Sequence, residues 1–283
     1  MYQSDPPRPA KETLPTMYDL PSEDPNEPGV PDEFHIYQPQ LLRETFCPPA
    51  YSADQIFVAS DLNLYYDVRH PHWYKRPDWF AVVGIDRFYE ERDLRLSYVT
   101  WQEGADPFVV VELLSPGTEK DDLGQTLRTT EQPPTKWRVY EQILRVPYYI
   151  VFDRYTDTLR AFTLQADRYS KQSLSEPRIW MPTLNLGVGL WQGTYQGINR
   201  LWLRWYDAEN QWILNAEERT EQERQRTEQE RQRTEQERQR AEQEHQRAEQ
   251  ERQRAEREHQ RAERLADQLR ALGVDPDNQP DSI

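Results

Sequence analysis

Four side chains have the types and spacing of a metal-dependent hydrolytic site. Asp78 follows a proline at the start of an apolar segment, and Glu112 directly follows the apolar run Phe108–Val111. Lys136 and Tyr140 are four residues apart and would share one face of a helix. Two acids on neighbouring strands suit a hard cation such as magnesium, which binds one or two carboxylates together with water and phosphate oxygens. A nearby lysine would position or activate the attacking water.

Each of these residues also has a structural interpretation. Asp78 could end a turn before a strand, Lys136 could be an exposed surface lysine, and Tyr140 could belong to the core. Glu112 is the hardest to explain in this way, because a carboxylate within an apolar strand is costly to bury without a partner. Arg138 would be the structural partner in that case.

Other polar residues give weaker signals. His70 and His72 have no third ligand nearby in the sequence and are interpreted as loop residues. His35 and Glu33, at the start of the first predicted helix, could reach the same cleft. The sequence contains no phosphate-binding P-loop, nucleophile elbow or dinucleotide fingerprint, which excludes the enzyme classes that depend on them.

The elements that would position these residues are predicted from hydrophobic patterns. Six segments rich in Val, Ile, Phe, Tyr and Trp predict strands: Ile56–Leu64, Trp79–Gly84, Leu96–Gln102, Phe108–Leu114, Tyr148–Asp153 and Leu159–Leu164. The absence of polar alternation in Phe108–Val111 indicates a central strand buried on both faces. Helices are expected over 33–46 and Lys136–Arg145, the second with Thr135 as N-cap and Pro147 as its stop. This order predicts an α/β (α+β) domain with a mixed central sheet flanked by helices.

The ordered series of motifs resembles the Uma-two family of restriction endonucleases, in the PD-(D/E)XK nuclease superfamily. The resemblance covers roughly residues 35–206. It is carried by Pro77-Asp78, the Val-Val-Glu-Leu-Leu-Ser-Pro-Gly-Thr segment around Glu112, Asp121-Asp122, Lys136-x-x-x-Tyr140 and Val146–Asp153. It implies a restriction-endonuclease-like fold and cleavage of DNA with magnesium or manganese.

The resemblance also implies a role for each site residue. Asp78 and Glu112 would be catalytic metal ligands, the backbone carbonyl of Leu113 a further ligand, Lys136 the catalytic lysine and Tyr140 a supporting residue. The superfamily's standard lysine stands two residues after the second acid, where this chain has Leu114. The resemblance places that lysine on the following helix, with 123–135 as an insertion before it.

A seven-residue repeat dominates the C-terminal part of the chain. One repeat position carries only threonine or alanine: Thr220, Thr227, Thr234, Ala241, Ala248, Ala255 and Ala262. Most other positions are Glu, Gln or Arg, with opposite charges three or four residues apart, as on a helix face. A two-stranded coiled coil needs two apolar positions per heptad, and only Leu265, Leu269 and Leu272 form a better, short seam. The repeat therefore predicts a charged helix, either single or in a coiled coil.

These patterns divide the chain into four segments. They are an acidic, proline-rich disordered arm over 1–32, the nuclease-like domain over 33–214, the charged helix over 215–272 and a disordered tail over 273–283. A single cysteine, Cys47, excludes an internal disulfide and fits a reducing compartment. No apolar run approaches the ~18 residues of a membrane span or a signal peptide's apolar stretch, so we expect a cytoplasmic protein without membrane contact.

Two functions from different classes remain open at this point. The first is a magnesium-dependent endonuclease acting on DNA. The second is a non-catalytic nuclease-fold adaptor whose charged helix binds a protein partner or forms a homodimer. The net charge of −15 counts mildly against a nucleic-acid substrate, because non-specific DNA binding depends on positive charge.

Overall fold

The structure is a computed structural model that describes residues 30, 32–115, 119–126, 128–129 and 131–273. The chain divides into two compact units, Met1–Ala216 and Glu217–Ile283. The arm predicted over 1–32 and the tail predicted over 273–283 lie almost entirely outside the described residues.

The first unit contains short helices and twelve strands in its described part. In chain order they are α1 (Phe34–Thr45), β1 (Ile56–Ala59), β2 (Leu64–Tyr65), β3 (Tyr74–Lys75), β4 (Trp79–Val83), β5 (Tyr98–Val99), α2 (Thr100–Glu103), β6 (Val109–Leu113), α3 (Glu119–Asp122), α4 (Lys136–Arg138), β7 (Tyr148–Asp153), β8 (Thr158–Gln165), β9 (Arg168–Lys171), β10 (Arg178–Met181), β11 (Leu186–Tyr195) and β12 (Ile198–Tyr206). Helix α4 continues directly into a π-helical turn, Val139–Ile143.

A six-stranded mixed sheet forms the centre of this unit, in the order β1-β4-β6-β7-β8-β9. Strands β6 and β7 are parallel, and the other neighbouring pairs are antiparallel. All five residues of β6 are buried, as expected for an apolar strand covered on both faces. The predicted mixed sheet flanked by helices is confirmed.

Helix α1 and the sheet β10-β11-β12 cover one face of the central sheet. Phe34 and Leu41 of α1 pack in one apolar cluster with Trp79, Val111 and Trp205. Successive side chains of a strand point to opposite faces, so Val110, Glu112 and Leu114 face the other way. There the small sheet β3-β2-β5 and the turn after α4 supply the cover, through residues such as Tyr98, Val139 and Tyr140.

Two strand predictions were wrong. The segment Leu96–Gln102 forms only the two-residue strand β5 before helix α2 begins at Thr100. The segment Ile56–Leu64 breaks after Ala59, because Asp61 adopts a positive φ of 50°, which does not fit a strand. Local composition predicted strands in both places, but turn geometry shortened them.

The second unit contains α5 (Ala216–Ala271), a helix of 56 residues with no buried side chain. Its polar side chains bond along the helix surface, as in the Arg226–Glu230 and Arg233–Glu237 pairs, both at 3.3 Å. Within the described residues no helix is long and apolar enough to cross a membrane.

Candidate active site

Strand register brings Asp78 and Glu112 together. Trp79, the first residue of β4, pairs with Val111 of the antiparallel strand β6, so Asp78 lies beside the carboxyl end of β6. The Asp78 backbone N–H donates to Glu112 Oε2 at 3.3 Å, and the Leu113 N–H donates to Asp78 Oδ2 at 2.6 Å. The two acids, 34 residues apart in the chain, therefore meet at one edge of the central sheet.

Both carboxylate oxygens of Glu112 are held from the helical segment that begins at Lys136. Lys136 Nζ donates to Glu112 Oε2 and Tyr140 Oη donates to Glu112 Oε1, each at 2.8 Å. The side chain of Glu112 is fully buried, and a buried charge needs such partners to offset its lost hydration. Lys136 and Tyr140 lie on one face of the helical segment, as their four-residue spacing predicted, and both bond to the Glu112 carboxylate.

Thr135 fixes where this helical segment begins. Its extended backbone and its side-chain oxygen, which accepts from the Arg138 N–H at 3.3 Å, make it the N-cap. The predicted cap is therefore present. It sets the direction of the first turn and so the reach of the Lys136 side chain toward β6.

Asp122 is a third acid in the cluster, and the sequence patterns had not indicated it as a site residue. Its carboxylate is buried, and Oδ1 lies 3.2 Å from Lys136 Nζ. Its backbone oxygen accepts a bond from Tyr149 Oη at 2.9 Å, which ties α3 to β7. The sequence signal for this third acid was the Asp121-Asp122 pair in the motif series. Of these two side chains, the structure describes only that of Asp122.

The electrostatics of the cluster are dominated by negative charge. Burial raises the pKa of Glu112 well above its ordinary value, and Asp78 and Asp122 add to this increase against the attraction of Lys136. For Lys136, burial lowers the pKa, but Asp122, Glu112 and Asp78 outweigh it and the net direction is upward. The carboxyl groups of Glu112 and Asp122 thus both contact the one amine, and Asp78 adds a third acid beside Glu112.

His35 approaches the same site from α1. Its Nε2 lies 3.1 Å from the backbone oxygen of Leu113, and its Nδ1 lies 2.9 Å from Asp32 Oδ1. Burial lowers the pKa of His35, but the bond to Asp32 and the charges of Asp78 and Asp32 raise it overall. Arg154 also pairs with Asp32 at 2.7 Å. Leu113, the expected carbonyl ligand, is therefore within hydrogen-bond distance of a histidine that the sequence indicated only weakly.

The remaining candidates lie elsewhere. Glu33 accepts a bond from Tyr37 at 3.3 Å, and His70 stacks on Trp73 with 3.9 Å between ring centroids. The side chain of Arg138 is exposed, and Glu112 is held by Lys136 and Tyr140. Leu114, where the standard superfamily lysine would stand, is buried in the apolar cluster.

The donor set fits a divalent cation in chemistry and in charge. Asp78, Glu112 and Asp122 offer hard oxygen atoms, which magnesium prefers, and a bound cation would stabilise the ionised form of Glu112, which burial disfavours. In the described part of the chain, however, no three His, Cys, Asp or Glu side chains are grouped as a ready metal site. Lys136 and Tyr140 already bond to the two Glu112 oxygens, so a bound cation would share these oxygens with them.

The family assignment rests on a match over most of the folded part of the chain. The model of the Uma2 family, described as "Putative restriction endonuclease", matches residues 18–201. The chain belongs to the Uma2 family. The matched range includes Asp78, Glu112, Asp122, Lys136 and Tyr140, whereas helix α5 lies outside it.

Other comparisons of this Uma2 chain are more distant. It is similar to the crystal structure of "a putative nuclease belonging to DUF820 from Anabaena variabilis ATCC 29413", with 11% identity and a TM-score of 0.32. The similarity covers 46% of this chain and 62% of that nuclease, less than two thirds of its length. No curated protein matches the chain.

Proposed function

We propose that this Uma2 protein is a metal-dependent endonuclease that hydrolyses phosphodiester bonds in DNA. The observation that carries the proposal is the meeting of Asp78, Glu112, Asp122 and Lys136 at one edge of the central sheet, where a single amine contacts two of the three acids. Membership of a family described as restriction endonucleases supports the same reaction class.

The reaction requires little covalent chemistry from the protein. A water oxygen bonds to phosphorus, the bond between phosphorus and one bridging oxygen breaks, and a proton passes to the leaving oxygen. A bound magnesium or manganese ion would stabilise phosphate charge and acidify water. Asp78 and Glu112 would hold that ion, with the Leu113 carbonyl as a further ligand.

Lys136 and Tyr140 would position the reacting groups. The bond from Tyr140 fixes the orientation of the Glu112 carboxylate. The amine of Lys136, whose side chain is 17% exposed, would orient water and a phosphate oxygen. Asp122 would hold the amine from its other side. Prepositioned groups of this kind lower the barrier because they need no rearrangement during the reaction.

The test is nicking of supercoiled plasmid DNA by the full chain with magnesium or manganese. We expect wild type to nick the plasmid, EDTA to abolish the reaction, and Glu112→Gln to reduce it at least about a hundredfold, because that substitution removes the buried charge that holds the cation.

Glu141→Gln is the matched control. Glu141 is a buried carboxylate that accepts from the Tyr169 N–H at 2.8 Å on the other side of the same helical turn, so its variant should keep wild-type nicking. Circular dichroism checks the folding of both variants. Equal nicking by wild type and the Glu112 variant would trace the activity to a contaminant and refute the proposal.

The competing function is a non-catalytic adaptor, in which Lys136 is only the counterion of a buried acid. Two observations favour it: both Glu112 oxygens are engaged by protein groups, and no ready metal site occurs among the described residues. Calorimetric titration with magnesium and manganese separates the two functions. Heat of binding that is lost in Asp78→Asn supports the nuclease, and no binding by a folded wild type supports the adaptor.

A further inference from the structure

A groove runs beside the outer edge of the central sheet. Strand β1 is the first strand in the sheet order, and the groove follows its residues from Ile56 to Ser60, with a volume of about 630 Å³. Its floor includes apolar residues such as Phe46 and Val58. Its lining contains none of the residues of the acidic cluster.

The charged residues that line this groove are all arginines: Arg43, Arg87 and Arg95. Arg95 is neutralised by Glu103, which it contacts at 2.7 and 2.9 Å. Within the described part of the chain, neither Arg43 nor Arg87 forms an ion pair, and burial together with the charge of Arg87 lowers the pKa of Arg43. Two like charges thus share one groove of a protein whose net charge is −15.

The groove leads toward the candidate active site. Ala59 pairs with Phe80, two residues after Asp78, and the Asp61 N–H donates to the Pro77 oxygen at 3.0 Å. Val58, whose backbone oxygen accepts from Arg43, directly precedes Ala59 at the end of β1. A strand of nucleic acid cleaved at the acidic cluster would therefore meet the two arginines a few nucleotides away.

We propose that Arg43 and Arg87 bind the phosphate backbone of the nucleic acid flanking the scissile bond. This inference rests on the proposed nuclease function and identifies the surface that holds its substrate. Guanidinium groups match phosphate oxygens in geometry and charge, and the apolar floor offers contact for sugars and bases.

An extended peptide added to the edge of β1 is the other occupant that such a groove could take. The structure disfavours it, because Arg43 Nη2 already donates to the backbone oxygen of Val58 at 2.5 Å. That bond occupies an acceptor in the middle of the edge that a peptide strand would need. The same guanidinium can still bind a phosphate through its other N–H groups.

The first experiment measures binding of a fluorescent oligonucleotide duplex to the full chain by anisotropy, in EDTA so that cleavage does not interfere. We expect Arg43→Ala/Arg87→Ala to raise Kd at least tenfold. The slope of log Kd against log salt concentration should fall by about 1.8, since each lost phosphate contact to a duplex removes about 0.9.

Arg145→Ala/Arg168→Ala is the matched control, because these arginines are exposed beside Asp167 and Glu141, away from the groove. It should leave Kd and slope unchanged. Arg87 is exposed and lies outside α1, so Arg87→Glu is a second variant that leaves the packing of α1 intact. It should raise Kd further than Arg87→Ala does. Unchanged affinity in folded groove variants would overturn the proposal.

Cys47 gives a readout that needs no substitution. It is the chain's single cysteine, it is exposed, and it lines the groove. Saturating oligonucleotide should slow its reaction with a thiol reagent severalfold, and an unchanged rate would place the nucleic acid elsewhere. Displacement of the oligonucleotide by an equimolar acidic peptide would instead identify a peptide site and refute the proposal.

The outcomes separate this inference from the proposed function. Oligonucleotide binding that depends on Arg43 and Arg87, without any nicking, would support nucleic-acid binding in the groove and refute the nuclease function. Nicking with unchanged binding in the groove variants would retain the nuclease and reject the groove. A folded wild type that binds no nucleic acid rejects both.

Discussion

At the residue scale, the most constrained group of the candidate site is the carboxylate of Glu112, which is bonded by Lys136 and Tyr140. Glu112 is fully buried, yet both of its oxygens are bonded and its counterion Lys136 also contacts Asp122. A buried ion costs several kcal/mol of hydration, so these bonds are part of the stability of the fold as well as of the site. Removing the amine alone should therefore be more damaging than removing a typical surface lysine.

Lys136→Met tests this expectation. The substitution leaves Glu112 and Asp122 without their cation, so the free energy of unfolding should fall by about 3–5 kcal/mol at pH 7. Burial and neighbouring acids already raise the pKa of Glu112, so Glu112 holds its proton more tightly in the folded chain than in the unfolded chain, where glutamate ionises above about pH 4.3. Stability should then decrease as pH rises.

At pH 4.5, protonation of Glu112 removes part of the buried charge that Lys136 compensates. The loss of unfolding free energy in the Lys136 variant should therefore be smaller at pH 4.5 than at pH 7. Urea unfolding at both pH values measures it. Lys171→Met, at an exposed position of β9, serves as the control and should change stability by less than about 0.5 kcal/mol. A loss in the Lys136 variant no larger than in the control would show that the buried cluster is not coupled to the amine.

At the scale of elements, the sequence predicted the strands that carry the site better than the ones that surround it. The apolar run before Glu112 indicated a central strand, and β6 is one. The spacing of Lys136 and Tyr140 predicted one helix face, and both bond to the same carboxylate. By contrast, β2, β3 and β5 have two residues each, too few for a periodic pattern to reveal.

The sequence indicated His35 only weakly and did not place Asp122 in the site, for a different reason. Asp122 lies on a four-residue helix and His35 on α1, and their positions follow from tertiary packing against β6 and β7. No local pattern encodes a contact such as that between His35 and the Leu113 oxygen, 78 residues away. Only the resemblance marked Asp122, as one member of an acidic pair.

The N-cap of α4 gives a prediction at this scale. Thr135→Ala removes the side-chain acceptor for the Arg138 N–H and should lower the free energy of unfolding by about 1 kcal/mol. Because Lys136 follows the cap directly, we also expect a decrease in plasmid nicking. Thr135→Ser keeps the hydroxyl and should retain both properties, whereas equal losses in the two variants would assign the effect to the missing methyl group.

At the scale of the whole molecule, the first unit is rich in buried phenols. Burial raises the pKa of Tyr66 to about 12, and it raises the pKa of Tyr140 and Tyr149 well above the ordinary value. The folded chain therefore keeps protons that the unfolded chain loses above about pH 10. By linkage, stability must decrease with rising pH in that range.

Alkaline titration checks this consequence. We expect unfolding to begin above about pH 10, with each buried phenol contributing up to about 1.4 kcal/mol per pH unit. Absorbance of tyrosinate at 295 nm should rise together with the loss of near-ultraviolet circular dichroism. Ionisation of all tyrosines before any loss of tertiary signal would contradict the burial described for the core.

Helix α5 makes a separate prediction, because its stability comes from many weak polar pairs. Its ion pairs are surface-exposed, as in Arg226–Glu230 with 80% and 68% exposure, and such pairs are screened by salt. A peptide spanning 216–273 should lose helical ellipticity at 222 nm between 10 mM and 1 M sodium chloride. Ellipticity that is independent of peptide concentration indicates a single helix, and a rise with concentration indicates a coiled coil.

The seven-residue period of this helix also limits how its length can vary. Each repeat adds about 10 Å along the axis, and seven residues at 3.6 per turn return nearly to the starting direction, with a drift of about 20°. Gain or loss of one repeat would therefore shift the terminal leucines Leu265, Leu269 and Leu272 along the axis while hardly rotating them. The number of repeats would thus set the length of the helix in steps of about 10 Å without changing the chemistry of its surface.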